Sequence, residues 1–260
     1  MVRKIFVVDA FAEDRFKGNP AAVVPLEAWL PDPVLQNIAM ENNLSETAFV
    51  VPEGDAYQIR WFTPMVEVSL CGHATLASAH VLFSHLGYEK ERVVFRSRSG
   101  ELRVTRKEGM IVLDFPSDPP LPVEPPKLLK EIFGVMPTET LQGRDLIAVY
   151  DDEISICGAS PDIALIRQLD VFALIITARG RKVDFVSRFF APREGVPEDP
   201  VTGSAHTELV PYWSKKLGKT KLLAQQCSPR GGILHCEDKG DRVLIGGKAI
   251  TYLEGSISLS

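Results

Sequence analysis

"EVSLCGHATLASAHVLFSHLG", Glu67 to Gly87, reads as a strand end, a small-residue turn and then a helix without a polar face. A surface helix carries a polar stripe, whereas one that is apolar and alanine-rich all round must be wrapped by other structure. Gly87 is placed to end it. The wrapping comes from "KIFVVDAF", "AAVVP", "TAFVVP", "YQIRWF" and "RVVFRS", all rich in β-branched and aromatic residues, and from "ELRVTRKEGMIVLDF", which reads as a hairpin turning near Gly109. One further helix is expected at "PDPVLQNIAMENN". Asp32 is its candidate N-cap, Pro33 its first helical position, and Val34, Leu35, Ile38 and Ala39 its apolar face.

The same grammar returns later in the chain. Strands are expected at "DLIAVY", "VFALIITA" and "VDFVSRFF", a short helix around "PDIALIRQL", then a helix over "TGSAHTELVPYWSKKLG" that Pro211 should kink or shorten. Individual residues repeat too. "RWFTP" from Arg60 recurs as "RFFAP" from Arg188, and "EVSLCGHA" from Glu67 recurs as "EDPVTGSA" from Glu198. Several matches in one order favour an internal duplication. Between the halves, "PSDPPLPVEPP", Pro116 to Pro126, is too proline-dense for continuous helix or central strand and reads as a connector. The expected organisation is a first lobe over 1–115, a linker over 116–126 and a second lobe over 127–260, with the last strands free to return to the first lobe.

Composition narrows the function. Charged residues make up 24% and hydrophobic residues 45% of 260, and the net charge is −5, so no basic footprint for nucleic acid or an anionic membrane exists. The start "MVRKIFVVDAF" lacks a secretory pattern, and no long uncharged apolar run suggests a membrane span, so a cytoplasmic protein is expected. Cys71, Cys157, Cys227 and Cys236 are scattered without a CxxC pair; reduced thiols and no structural zinc are expected. The histidines, His73, His80, His85, His206 and His235, show no metal-ligand spacing, and no nucleotide-binding loop occurs.

A small-residue turn opening into a helix offers unpaired backbone amides and the positive end of a dipole, which together hold an anion. If the lobes pack about a pseudo-twofold axis, Gly72-His73 and Gly203-Ser204 point into one crevice suited to a small carboxylate. The plainer alternative is two helix starts capped by residues such as Thr202 or Ser204. Asn19 and the "QQCSPRGG" segment, with Gln226, Ser228, Arg230, Gly231 and Gly232, are secondary candidates for an anion pocket. Arg230 fits carboxylate recognition through its fork of donors, or else occupies a solvated turn. Arg60 and Arg188 read as structural supports paired to carboxylates.

Seven blocks together resemble the PhzF-like family of the diaminopimelate epimerase fold superfamily: "DAF…FKGNPAAVV", "LSETAFV", "IRWFTPMVEV", "CGHATLASAHVL", "SRFFAP", "EDPVTGSAH" and "GKTKLLAQQCSPRGG". The resemblance implies an α+β fold of two pseudo-symmetric lobes, each a β-barrel-like sheet around a central helix. It also implies a homodimer, an active site between the lobes, and isomerase chemistry without metal or organic cofactor. Carried over by motif, Glu46, His73 and Asp199 are the implied catalytic residues, and Ser204 joins them. The superfamily's two-thiol racemases place a cysteine before each helix; here Cys71 occupies the first position but Thr202 the second, so a thiol pair cannot form.

A single carboxylate near two carbons can take a proton from one and return it to the other, and Glu46 suits that task. Without the family match, a glutamate between Ser45 and Thr47 reads as an exposed strand residue. At a helix start the dipole favours a neutral His73 that donates or relays a proton. Asp199 either binds a substrate amine or hydroxyl or closes an Asx-type turn. Ser204 and adjacent amides would stabilise an enolate. The expected function is therefore a proton-transfer isomerase acting on a small carboxylic acid. Two alternatives stand beside it: a single-thiol epimerase using Cys71, and a binding or scaffold protein that retains the cleft.

Overall fold

A computed structural model describes residues 2–259, which form two compact units: residues 2–114 with 246–259, and Phe115–Ile245. The first contains β1 (Val2–Ala10), β2 (Asn19–Pro25), α1 (Asp32–Asn42), β3 (Glu46–Glu53), β4 (Ala56–Phe62), β5 (Glu67–Val68), α2 (Gly72–His85), β6 (Arg92–Ser97), β7 (Gly100–Lys107) and most of β8 (Met110–Pro116). The second contains β9 (Leu121–Pro122), α3 (Leu128–Phe133), β10 (Glu139–Gln142), β11 (Leu146–Val149), α4 (Glu153–Cys157), α5 (Ile163–Ile166), β12 (Leu174–Arg179), β13 (Phe185–Ala191), β14 (Val196–Asp199), α6 (His206–Leu217), β15 (Lys221–Gln226), β16 (Gly232–Asp238) and most of β17 (Arg242–Gly247). The last strand, β18 (Ala249–Ser258), belongs to the first unit and pairs antiparallel with β1.

Pairing follows one scheme in both units. In the first, β1 pairs antiparallel with β2, β2 runs parallel to β3, β3 and β4 are antiparallel, and β4 takes β5 antiparallel and β6 parallel. In the second, β10, β11, β12, β13, β14 and β15 repeat those relationships in the same order. Strand β9 pairs with β10 as β18 does with β1. Parallel strands need a crossover, and each unit supplies helix there: α1 between β2 and β3, α4 and α5 between β11 and β12. The duplicated sequence blocks are thus duplicated topology.

Helix α2 is buried from Gly72 through Ala79 and again over Val81–Phe83, and it packs on β1, β2, β3 and β18. This is the all-round burial that its composition requires. On the outer face of the first unit's sheet, Leu35, Ile38 and Ala39 of α1 join Ala22, Val24, Phe49 and Phe62 in a second apolar cluster. The β7–β8 hairpin turns through Glu108 and Gly109, both at positive φ (51° and 76°), as a two-residue primed turn demands.

Four local expectations are corrected. Asp32 does not cap α1: Pro31 holds the N-cap position, and the Asp32 carboxylate accepts from Arg60 Nη1 at 2.8 Å. The connector Pro116–Pro126 is integral to the second unit, where β9 pairs with β10. Pro211 does not shorten α6, which runs unbroken from His206 to Leu217. Proline removes the donor for the Thr207 carbonyl, but Asp118 N–H fills that place at 3.0 Å, avoiding the roughly 1–3 kcal/mol cost of a stranded buried acceptor. Finally, Cys157 and Cys227 are joined in a disulfide, with Cα atoms 5.2 Å apart, while Cys71 and Cys236 are buried and free. Cys227 N–H bonds Ser187 O on β13, which brings this cysteine to α4, a neighbour that linear spacing does not reveal.

Candidate active site

In the first unit, Asn19 opens β2, Glu46 opens β3, and Cys71 and His73 flank the start of α2. Parallel pairing of β2 with β3 sets Ala21 opposite Glu46, so two strand starts and a helix start converge. His73 is their hub. Its Nε2 lies 3.1 Å from Glu46 Oε2, its Nδ1 3.2 Å from Asn19 Nδ2 and 3.5 Å from Cys71 Sγ. The Glu46 side chain is 16% exposed, so it is neither a surface residue nor sealed from a ligand. The 3.1 Å contact meets an ion-pair distance but not hydrogen-bond angles, leaving two buried polar atoms misaligned. The Asn19 amide faces Nδ1, where it donates to a neutral ring and, turned over, accepts from an imidazolium.

The electrostatics correct the expectation of a plainly neutral His73. Burial opposes charging the ring, yet the Cys71 sulfur and the Glu46 carboxylate outweigh it and push the His73 pKa well above 6.5. Burial, reinforced by Glu46, pushes the Cys71 thiol up to about 11. The sulfur is therefore protonated at neutral pH, and Glu46 is the charged neighbour that favours imidazolium then. That protonation removes the thiolate on which single-thiol chemistry depends.

Glu46, Cys71 and His73 offer donor atoms within 4.8 Å of one another, so they are the natural place to look for a metal. The ring frustrates it. Sulfur faces Nδ1 and carboxylate faces Nε2, on opposite edges of the imidazole, whereas one ion takes one ring nitrogen. The arrangement suits proton relay better than coordination.

In the second unit, Asp199 ends β14 and a turn leads through Thr202, Gly203 and Ser204 to α6, which begins only at His206. Neither Thr202 nor Ser204 caps the helix, since Ala205 occupies the N-cap without a side-chain bond. Thr202 Oγ1 instead donates to Asp199 Oδ2 at 2.5 Å, a side-chain bond across the turn. The Gln226 amide accepts from Thr202 N at 2.8 Å and donates to Asp199 O at 2.8 Å, while Ser228 Oγ donates to Pro200 O and accepts from Gly231 N. Gln226, Ser228 and Gly231 thus spend these groups on holding the turn. Arg230 lies partly buried in the same loop. His206 is buried; its Nδ1 donates to Thr202 O at 2.9 Å, and burial lowers its pKa to about 4, so it braces the turn as a neutral ring.

The repeated arginines are structural supports. Arg60 binds Glu67 through two bonds of 2.7 and 2.8 Å, and Arg188 binds Glu198 through two of 2.7 and 2.9 Å. Each fork anchors the acid five residues before a glycine, Gly72 at the start of α2 and Gly203 in the turn that leads to α6. Sequence reasoning missed a further cluster, Arg144, Asp145 and Glu208, whose Arg144 reaches Ser204 Oγ at 3.4 Å. Its only local signal is "GRD" preceding an apolar strand.

A family model described as phenazine biosynthesis-like protein matches residues 8–255. An uncharacterized isomerase of Pseudomonas aeruginosa is 52% identical over 98% of each chain. A crystal structure of a PhzF-family phenazine biosynthesis protein from Enterococcus faecalis is 50% identical and superposes with a TM-score of 0.98 over 100% of both chains. A hydroxyproline epimerase from Agrobacterium vitis, solved with trans-4-OH-L-proline, is 10% identical with a TM-score of 0.65 over 99% of this chain and 93% of that one, a likeness of fold alone.

Proposed function

Because this chain belongs to the phenazine biosynthesis-like protein family and is an isomerase, we propose that it moves a proton between carbon atoms of a small carboxylic acid, with Glu46 as the carrier. The observation that carries this reading is the Glu46–His73 contact: a partly exposed carboxylate 3.1 Å from a buried imidazole whose pKa is raised. An acid and a base held this close exchange protons readily, and the misaligned contact leaves Glu46 able to turn toward a substrate carbon. In this reading His73 supplies or receives the second proton, Asn19 orients its ring, and Cys71 is a neutral wall.

The helix-start amides at Gly72 and the turn at Gly203 and Ser204 would hold the substrate's carboxylate and the negative charge of an enolate, each donor supplying on the order of 3 kcal/mol. Asp199 would orient a substrate amine or hydroxyl while its turn is held by Thr202 and Gln226. The reading gives no part to metal or organic cofactor.

The test is to incubate the enzyme in deuterium oxide with a panel of α-substituted and unsaturated small carboxylic acids. Substrates should gain deuterium at carbon or shift a double bond. Saturable binding across the panel without either change would favour a binding protein instead.

A further inference from the structure

We infer that Arg144 is a substrate-recognising residue of this enzyme, holding a substrate carboxylate beside the Gly203–Ala205 turn; the inference rests on the function proposed above. The side chain is 41% exposed, yet it is fixed at several points. Asp145, wholly buried, takes Nε at 3.2 Å and Nη2 at 2.6 Å. The guanidinium also lies 5.3 Å from the centroid of the Phe172 ring, and Nη2 reaches Ser204 Oγ at the long distance of 3.4 Å. Nη1 bonds no described residue. A surface arginine loses rotamer entropy to be held this way, so a guanidinium fixed with its Nη1 hydrogens left open is a preoriented donor for an anion.

The surroundings reinforce that edge. The backbone N–H groups of Gly203, Ser204 and Ala205 bond no other described residue, so the turn beside Arg144 carries further unspent donors. Beneath it, Asp145 N–H donates to Glu208 Oε2 at 3.2 Å, and Gly143 lies so close to this carboxyl that a Cβ there would collide with Oε2. A side chain at position 143 would push the Glu208 carboxyl aside from Asp145, and Asp145 in turn fixes Arg144. Burial and the adjacent Asp145 push Glu208 up to about 8, so at neutral pH it adds no negative charge. Asp145 and the more distant Asp118 carboxylate face Arg144, so an anion would bind on the Nη1 side with help from the amides of the turn.

The experiment follows benzoate, a small planar carboxylate, and neutral benzamide by 15N NMR, reading the backbone amides of Gly203, Ser204 and Ala205. Benzoate should bind the wild type saturably in the millimolar range, with benzamide at least about 10-fold weaker. Arg144→Gln should weaken benzoate by about 10-fold or more; it also strands the buried Asp145 carboxylate, so its melting temperature should fall and affinity is read well below that temperature. Arg144→Lys keeps the charge but loses the fork, and should fall between. If Arg144→Gln does not fold, the lysine variant decides: weaker benzoate binding supports the inference, and wild-type affinity overturns it. No saturable shift in the wild type, or unchanged affinity in Arg144→Gln, also overturns it. Failure of the proton-carrier reading is separable, because Glu46→Gln retaining turnover would contradict that reading and leave the benzoate result standing.

Discussion

His73 Nε2 and Glu46 Oε2 lie 3.1 Å apart, near enough to exchange a proton and too far off line to lock each other in place. Burial alone would lower the histidine's pKa; the adjacent Glu46 carboxylate opposes that and pushes it upward, as an ionised Cys71 would further. Replacing Glu46 with Gln removes the charged neighbour, so the His73 titration midpoint, followed by imidazole NMR, should fall in that variant. Since the folded pKa exceeds the unfolded one, the stability this pair contributes is complete below about pH 6.5 and is lost as pH rises through the folded value. A wild-type midpoint below 6.5 would contradict the assignment.

Cys71 should be inert. With its thiol pushed up to about 11 and its side chain buried, iodoacetamide at pH 7.5 should leave it unmodified in the native protein and label it after unfolding. Cys71→Ser should retain turnover within about threefold, far from the loss expected of a nucleophile or base. Rapid native labelling would restore the single-thiol alternative.

The two arginine forks should differ in worth. Arg188 is 9% exposed and also donates to Ala159 O, so Arg188→Met strands a buried carboxylate and should cost about 3 kcal/mol in a urea melt. Arg60→Met should cost less, because Arg98 Nη1 already lies 2.8 Å from Glu67 and can keep it paired. Equal losses would mean that Arg98 gives no support.

Glu208 should limit alkaline stability. Its pKa is about 8 in the fold against an ordinary 4.5, so folding favours the protonated form. The penalty is absent below about pH 4.5, grows as pH rises and is complete above about 8. Glu208→Gln should therefore gain little at pH 4.5 and a few kcal/mol at pH 8.5 by urea denaturation. An equal gain at both values would show that Glu208 does not titrate there.

Local chemistry explains what could be read in advance. The all-apolar α2, the turn at Glu108-Gly109 and the repeated arginines paired to nearby carboxylates each reflect a requirement met within a short stretch of chain, and each is realised in the fold. The misreadings share a different cause. Pro211 stays helical because a donor arrives from Asp118, Cys227 meets Cys157 through strand pairing, and Arg144 finds Ser204 only once β11 and α6 are in place. Such partners are set by tertiary packing, so no periodicity announces them. Motif resemblance singled out Glu46 and His73, but their mutual distance and the sealed Cys71 thiol came only with the structure.

The central claim is that the Glu46 carboxylate carries the proton. It is tested most directly by single-turnover deuterium incorporation from deuterium oxide, comparing the wild type with Glu46→Gln on a substrate found in the acid panel. The account predicts label at carbon with the wild type and a loss of at least about 100-fold in the variant, with the fold unchanged by circular dichroism. Label appearing at the wild-type rate in Glu46→Gln would contradict it.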